Sequence, residues 1–314
     1  MDRTILVGVD GSTGSEEALR WAFREARLRR RPVTALLAWG TDGLPRELHR
    51  RAGRADHAEL EASAVAALDQ AIERADANGV EVYPMLVEAA PAVALEENAP
   101  GAEMIVVGSH GHGPITRVLA GSVAQTVVNH VQVPVVVVRG RTAQRPGGQR
   151  PNGQRPNGQR PNGQGPDGER PDSQRRPVVV GVDGSGNSVG ALRWAAQAAA
   201  LRRAPLRVVF ALGRTDPLYP ELMISGQVDL LRRAQAMLDE TVGKGLASAA
   251  EVAVDTVVAP DAPSVALLHE AELAQLLVVG RRGHGGFADL LLGSVSHQCL
   301  LHAACPVAVV HDEA

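Results

Sequence analysis

The sequence predicts an α/β protein built from two doubly wound domains, each with a five-stranded parallel sheet in the strand order 3-2-1-4-5. Apolar runs such as TILVGV (4–9) and MIVVG (104–108) alternate with helical stretches. Strands that are apolar on both faces and separated by helices belong to a parallel sheet covered on both sides. The pattern is also written twice: ILVGVDGS (5–12) returns as VVVGVDGS (178–185), ALRWA (18–22) as ALRWA (191–195), and VPVVVV (133–138) as CPVAVV (305–310). The offset stays at 173 residues from Asp10 to Asp183 and 172 from Gly121 to Gly293, so one domain is present in two copies. This gives a first domain over 1–140, a linker over 141–176 and a second domain over 177–314.

In the first copy, the strand TILVGV is ended by Asp10-Gly11-Ser12, ordinary turn and helix-cap residues. A helix follows around Ser15–Arg30, with Ala18, Trp21, Ala22, Ala26 and Leu28 near a 3.6-residue period. Then come a strand at 33–39, a long helix near Ala55–Ala77, a strand at 80–88, a short helix at Ala92–Asn98 and a strand at 104–108. After a glycine-rich loop, a helix over Ser122–His130 leads into a last strand at 135–138. The second copy repeats this, with strands near 177–182, 206–211, 251–258, 276–280 and 306–310. The linker repeats a six-residue unit of Pro, Gly, Gln, Asn and Arg without Val, Ile, Leu or aromatic residues, which predicts a disordered spacer.

The 314 residues carry a formal charge of −3, giving no reason to expect nucleic acid as a partner. No apolar run approaches the roughly 18 residues that span a bilayer, and the start has no signal-peptide core. A cytoplasmic protein is expected. Five residues separate Cys299 and Cys305, which fits no zinc or redox spacing in common use, and they read as small buried hydrophobes.

The chemistry concentrates in two stretches, GSHGHGPITRVLAGS (108–122) and GRRGHGGFADLLLGS (280–294). Gly108, Gly111, Gly113 and Gly121 answer to Gly280, Gly283, Gly285 and Gly293, and each stretch closes on a serine, Ser122 or Ser294. Glycines let backbone N–H groups approach an anion, and a helix N-terminus adds donors and a positive dipole end. The other reading is a tight strand-to-helix connection. Ser122 stands where an N-cap hydroxyl is expected. In the order 3-2-1-4-5, strands 1 and 4 flank the switch point where ligands bind. Asp10 and Asp183 then face the glycine loops, where an acid either accepts hydrogen bonds from a ribose or caps the turn. His110 and His112 invite a metal reading. The second copy has Arg282 and His284 in their places, and arginine is a phosphate partner rather than a metal ligand. No metal site other than Mg²⁺ carried by a nucleotide is expected.

With the Gly-x2-Gly-x9-Gly-Ser pattern, the VGVDGS strand end and the last valine-rich strand in both halves, the chain resembles the universal stress protein family in its tandem, ATP-binding form. The resemblance implies an adenine-nucleotide alpha-hydrolase-like fold with ATP, carried with Mg²⁺, in each half. It places the phosphates on Gly108, Gly111, Gly121 and Ser122, and on Gly280, Gly283, Gly293 and Ser294. Gly8, Asp10 and Ala38 would line the adenine and ribose side, as would Gly181, Asp183 and Ala211. The neighbours Ser109, Val123, Arg281 and Val295 complete the candidate set, and no catalytic residue is assigned. It further implies that the last strands of the halves pair with each other. An ATP-binding stress-response regulator with an unnamed protein partner, and a homo-oligomer as one form, is the expected function. A slow ATPase or other nucleotide-dependent enzyme, or a scaffold with empty pockets, is the alternative.

Overall fold

The computed structural model describes residues 3–39, 54–109, 121–139, 176–213, 223–246, 252–283 and 291–311. Of the linker expected over 141–176, residues 141–175 lie outside the described residues, as do six of the candidate site residues: His110, Gly111, His112, Gly113, His284 and Gly285.

The first half runs β1 (Thr4–Val9), α1 (Thr13–Arg29), β2 (Val33–Trp39), α2 (Arg54–Ala75), β3 (Val82–Glu88), α3 (Pro91–Asn98), β4 (Ala102–Gly108), α4 (Ser122–His130) and β5 (Val135–Val138). The second runs β6 (Val178–Val182), α5 (Gly186–Arg202), β7 (Leu206–Ala211), α6 (Met223–Leu246), β8 (Val254–Ala259), α7 (Pro263–Ala271), β9 (Leu276–Gly280), α8 (Ser294–His302) and β10 (Val307–Val310). The strand order is β3-β2-β1-β4-β5-β10-β9-β6-β7-β8, so each half has the order 3-2-1-4-5. The two sheets are continuous: β5 and β10 pair antiparallel, with Val136 opposite Ala308, and form the middle of one ten-stranded sheet. All residues of both strands are buried.

Side chains alternate across a strand, and the core divides accordingly. Ile5, Val7 and Val9 join one apolar layer with α1, α2, α5 and α6. Leu6 joins the other, with α3, α4, α7 and α8. Each layer is shared by both halves. Leu28, counted with the apolar stripe of α1, is instead 38% exposed; the buried face of that helix takes Leu19, Phe23 and Glu25. Among the described residues no helix is long and apolar enough to cross a membrane.

Candidate functional site

The end of β1 shows how sequence sets the local geometry. Asp10 Oδ1 accepts from Ser12 N at 2.9 Å and from Ser12 Oγ at 2.6 Å. Gly11 takes a left-handed φ of 79°, which a side chain would resist. Ser12 caps α1, its Oγ accepting from Ser15 N at 3.2 Å. The second half repeats this turn: Asp183 Oδ1 accepts from Ser185 N at 3.0 Å and Ser185 Oγ at 2.6 Å, and Ser185 caps α5. Both aspartates are therefore turn-makers, and the cap reading of Asp-Gly-Ser is correct as far as Oδ1 goes. In the second half Asp183 lines a cavity as well.

At the end of β4, Ser109 N donates to Val138 O at 2.8 Å, and Gly121 N returns to Ser109 O at 2.8 Å. At the end of β9, Arg281 N donates to Val310 O at 2.9 Å, and Gly293 N to Arg281 O at 2.9 Å. These bonds hold the start and finish of each glycine loop together beside the switch point. They also bring Ser122 or Ser294 to the carboxyl end of the sheet.

The expected N-cap role of Ser122 is overturned. Gly121 is the N-cap of α4 and Gly293 that of α8, neither with a side-chain cap. The reason is that the glycine carbonyls already open the helices, accepting from Gln125 N at 3.0 Å and His297 N at 2.9 Å. Ser122 and Ser294 are first helical residues, exposed at the helix entrance. The glycines also divide by role. A Cβ on Gly108 would lie 2.7 Å from the Gly14 backbone carbon, and one on Gly280 3.1 Å from Asn187 O. At those two positions the close approach is made by the first turn of α1 or α5. On Gly283 a Cβ would collide with Asp183 Oδ2.

In the second half these residues enclose a cavity of about 540 Å³. Of the sequence-predicted set, Gly181, Asp183, Ala211, Gly280, Arg282, Gly283, Gly293, Ser294 and Val295 line it. Sequence reasoning missed Val182, Ser188, Val209, Pro263, Leu267, Val279 and Ser296. Most of these are generic strand and helix residues, though Pro263 at the start of α7 repeats Pro91, and Ser296, which answers to Ala124, donates its Oγ to Gly280 O at 2.6 Å. Arg282 Nε is buried without a hydrogen-bond partner among the described residues. Such an orphaned donor is costly unless a ligand completes it. The glycines, the serine at the mouth of α8 and this donor together suit an anionic group.

Arg281 is engaged elsewhere. Its Nε donates to Leu291 O at 2.7 Å and its Nη2 to Asn129 O at 2.5 Å, across to α4 of the other half. Backbone carbonyls at a loop and a helix end compete successfully for this guanidinium, which does not line the cavity. Burial and the neighbouring Arg282 lower its pKa from the ordinary value. In the first half, Gly8, Asp10, Ala38, Gly108, Ser109, Gly121, Ser122 and Val123 hold the equivalent places, with Ser109 buried and Asp10 and Ser122 exposed. Cys299 and Cys305 are free and buried, and desolvation pushes both thiols up to about 12.

The universal stress protein family model matches residues 1–139 and again 174–311. The chain belongs to the universal stress protein family. A universal stress protein of Mycolicibacterium smegmatis is 31% identical over 317 residues, covering 98% of this chain and 96% of its own length. One from Mycobacterium tuberculosis is 31% identical over 321 residues with the same coverage. In fold, the chain is similar to a solved universal stress protein of Archaeoglobus fulgidus, with a TM-score of 0.62, 19% identity and 98% of each chain covered.

Proposed function

We propose that each half binds one ATP, with Mg²⁺ carried by the nucleotide, and that occupancy rather than turnover is the output. The protein is then a nucleotide-dependent regulator acting on a protein partner in the reducing cytoplasm, where Cys299 and Cys305 remain thiols. The observation that carries this reading is the buried, unpaired Nε of Arg282 in the second-half cavity. It lies among glycines at the start of α8, and helix N-termini with exposed backbone donors are anion sites. The volume of about 540 Å³ is in the range of small-molecule sites.

In this reading Arg282, the Gly280–Gly283 backbone, Gly293 and the Ser294 hydroxyl hold the phosphates. Asp183 faces the ribose, and Val209, Ala211 and Leu267 face the base. The bound nucleotide supplies a polyphosphate charge; this chain orients it and screens it from water.

The deciding measurement is mass spectrometry of small molecules released when the purified protein is denatured. ATP or ADP at one to two equivalents supports the reading. Nothing released, followed by no heat on titration with ATP, overturns it. Gly293→Val then localises the site. A Cβ there meets nothing closer than Arg281 O at 3.4 Å, and the glycine φ is an ordinary −68°. The side chain enters the cavity without straining the fold, and calorimetric stoichiometry should fall by one. Release of ADP from bound ATP at a rate fast enough to control occupancy would replace the regulatory reading with the ATPase one.

A further inference from the structure

Helices α1 and α5 meet where the halves join, and their facing residues follow the repeat. The Arg29 guanidinium lies over the Trp194 ring, 5.2 Å from its centroid. Arg202, the equivalent of Arg29, lies over Trp21 at 5.9 Å. Each arginine thus reaches the aromatic ring of the opposite half, with only 7% and 8% of its side chain exposed. Two guanidinium groups drawn together in a buried seam need a counter-ion.

The repeat does not supply it symmetrically. Where the first half has Glu25 the second has Ala198, and where the first has Glu103 the second has Gln275. Glu25, 1% exposed, serves both arginines: Oε1 accepts from Arg29 Nε at 2.5 Å and Oε2 from Arg202 Nη2. Glu103 accepts from Arg29 Nη1 at 2.8 Å and from Arg31 Nε at 2.9 Å.

We infer that Glu25 is the residue by which this interface rejects a second half against a second half, so that a second half is admitted only against a first, whether from the same chain or from a second copy. In that pairing one carboxylate bonds to both stacked arginines. Two second halves would bring together two Arg202 side chains facing Ala198 and Gln275, with no acid from these positions. The sheet does not make this choice. β5 and β10 are both short and valine-rich, and Val136 and Ala308, which face each other, are themselves equivalent by the repeat. Backbone ladder bonds are blind to which halves meet, so rejection of the wrong pair falls to the charges beside them.

The test moves the carboxylate across the seam in the full-length protein. Glu25→Ala should lower the thermal midpoint by about 10 °C, because it leaves two buried cations without their shared acid. Glu25→Ala combined with Ala198→Glu should recover at least half of that loss, since the repeat places residue 198 at the mirrored position between the same arginines. A carboxylate that only packed within α1 would not be replaced from α5. An unchanged midpoint in the single variant, or no recovery in the double, overturns the inference. If the single variant does not fold, the double variant decides alone: folded protein supports the inference, unfolded protein refutes it. Homotypic pairing is read with Ala308→Cys under oxidising conditions, because only two second halves place this position against itself. No interchain disulfide is expected, and a disulfide-linked dimer through residue 308 overturns the selection.

Discussion

The two halves share one framework, and several of the positions at which they differ are ones where they touch each other. Glycine, aspartate and capping serine positions coincide, down to the 2.6 Å bonds from Ser12 Oγ to Asp10 and from Ser185 Oγ to Asp183. Around the seam, Glu25 stands opposite Ala198, Arg281 answers to Ser109, and Arg139 answers to His311. A tandem protein needs its sites alike and its contact faces complementary. Substitutions at the seam are therefore where the halves have room to become different molecules. The same comparison locates three further tests.

The largest effect is expected at the ends of β4 and β9. Gly14 in α1 corresponds to Asn187 in α5, and the side-chain-free residue lets the first turn of α1 settle closer to its strand. A Cβ on Gly108 would be 2.7 Å from Gly14 C, against 3.1 Å from Asn187 O for one on Gly280. Gly108→Ala should cost about 3 kcal/mol and Gly280→Ala about 1 kcal/mol, as overpacking against rigid backbone does. Denaturant midpoints for the two variants check the order. Equal losses would mean that the halves are equally close-packed there.

A second contrast pairs a permanent charge with a titrating one. Arg139 Nη2 reaches across to Leu300 O in α8 at 3.0 Å. His311 takes the mirrored place, buried against the backbone of Val128 and Val133. Burial, with Arg281 nearby, pulls its pKa from 6.5 down to about 4. Between those values the unfolded chain binds a proton that the folded chain refuses. The stabilising difference is complete above pH 6.5 and is lost as pH falls towards 4, by up to about 3 kcal/mol. His311→Phe should flatten the stability curve across that window. A slope identical to that of the parent protein would show that His311 is not held neutral.

The fold was legible because its determinants are periodic. Continuous apolar strands such as 33–39, 135–138 and 206–211 coincide with β2, β5 and β7 to the residue, since a strand buried on both faces leaves no ambiguity of face. The start of β8 was less clear: 251–258 was expected and Val254–Ala259 forms, because an edge strand with exposed residues lacks that constraint. Within the site, glycines and aspartates were legible as a pattern, but not what each approaches. That Gly108 faces α1 whereas Gly283 faces Asp183 depends on contacts across the fold. Glu25 was invisible for the same reason: a carboxylate in an Arg-rich helix reads as surface until a second helix covers it.

The finest contrast lies between adjacent arginines. Arg281 and Arg282 look equivalent in sequence, yet one donates to Leu291 O and Asn129 O while the other lines the cavity and has a buried Nε unpaired among the described residues. Arg282→Ala should weaken ATP binding at the second-half site tenfold or more, the loss of one charge-assisted hydrogen bond. Arg281→Ala should leave that affinity within about twofold and lower global stability by about 1 kcal/mol through the lost cap on α4. Calorimetric titration and thermal unfolding of the two variants separate the roles. If Arg281→Ala instead removes binding while Arg282→Ala does not, the phosphate-facing arginine has been assigned to the wrong neighbour. Dual effects in Arg281→Ala, on both affinity and stability, would mean that the bond to Asn129 also holds the loop in its binding shape.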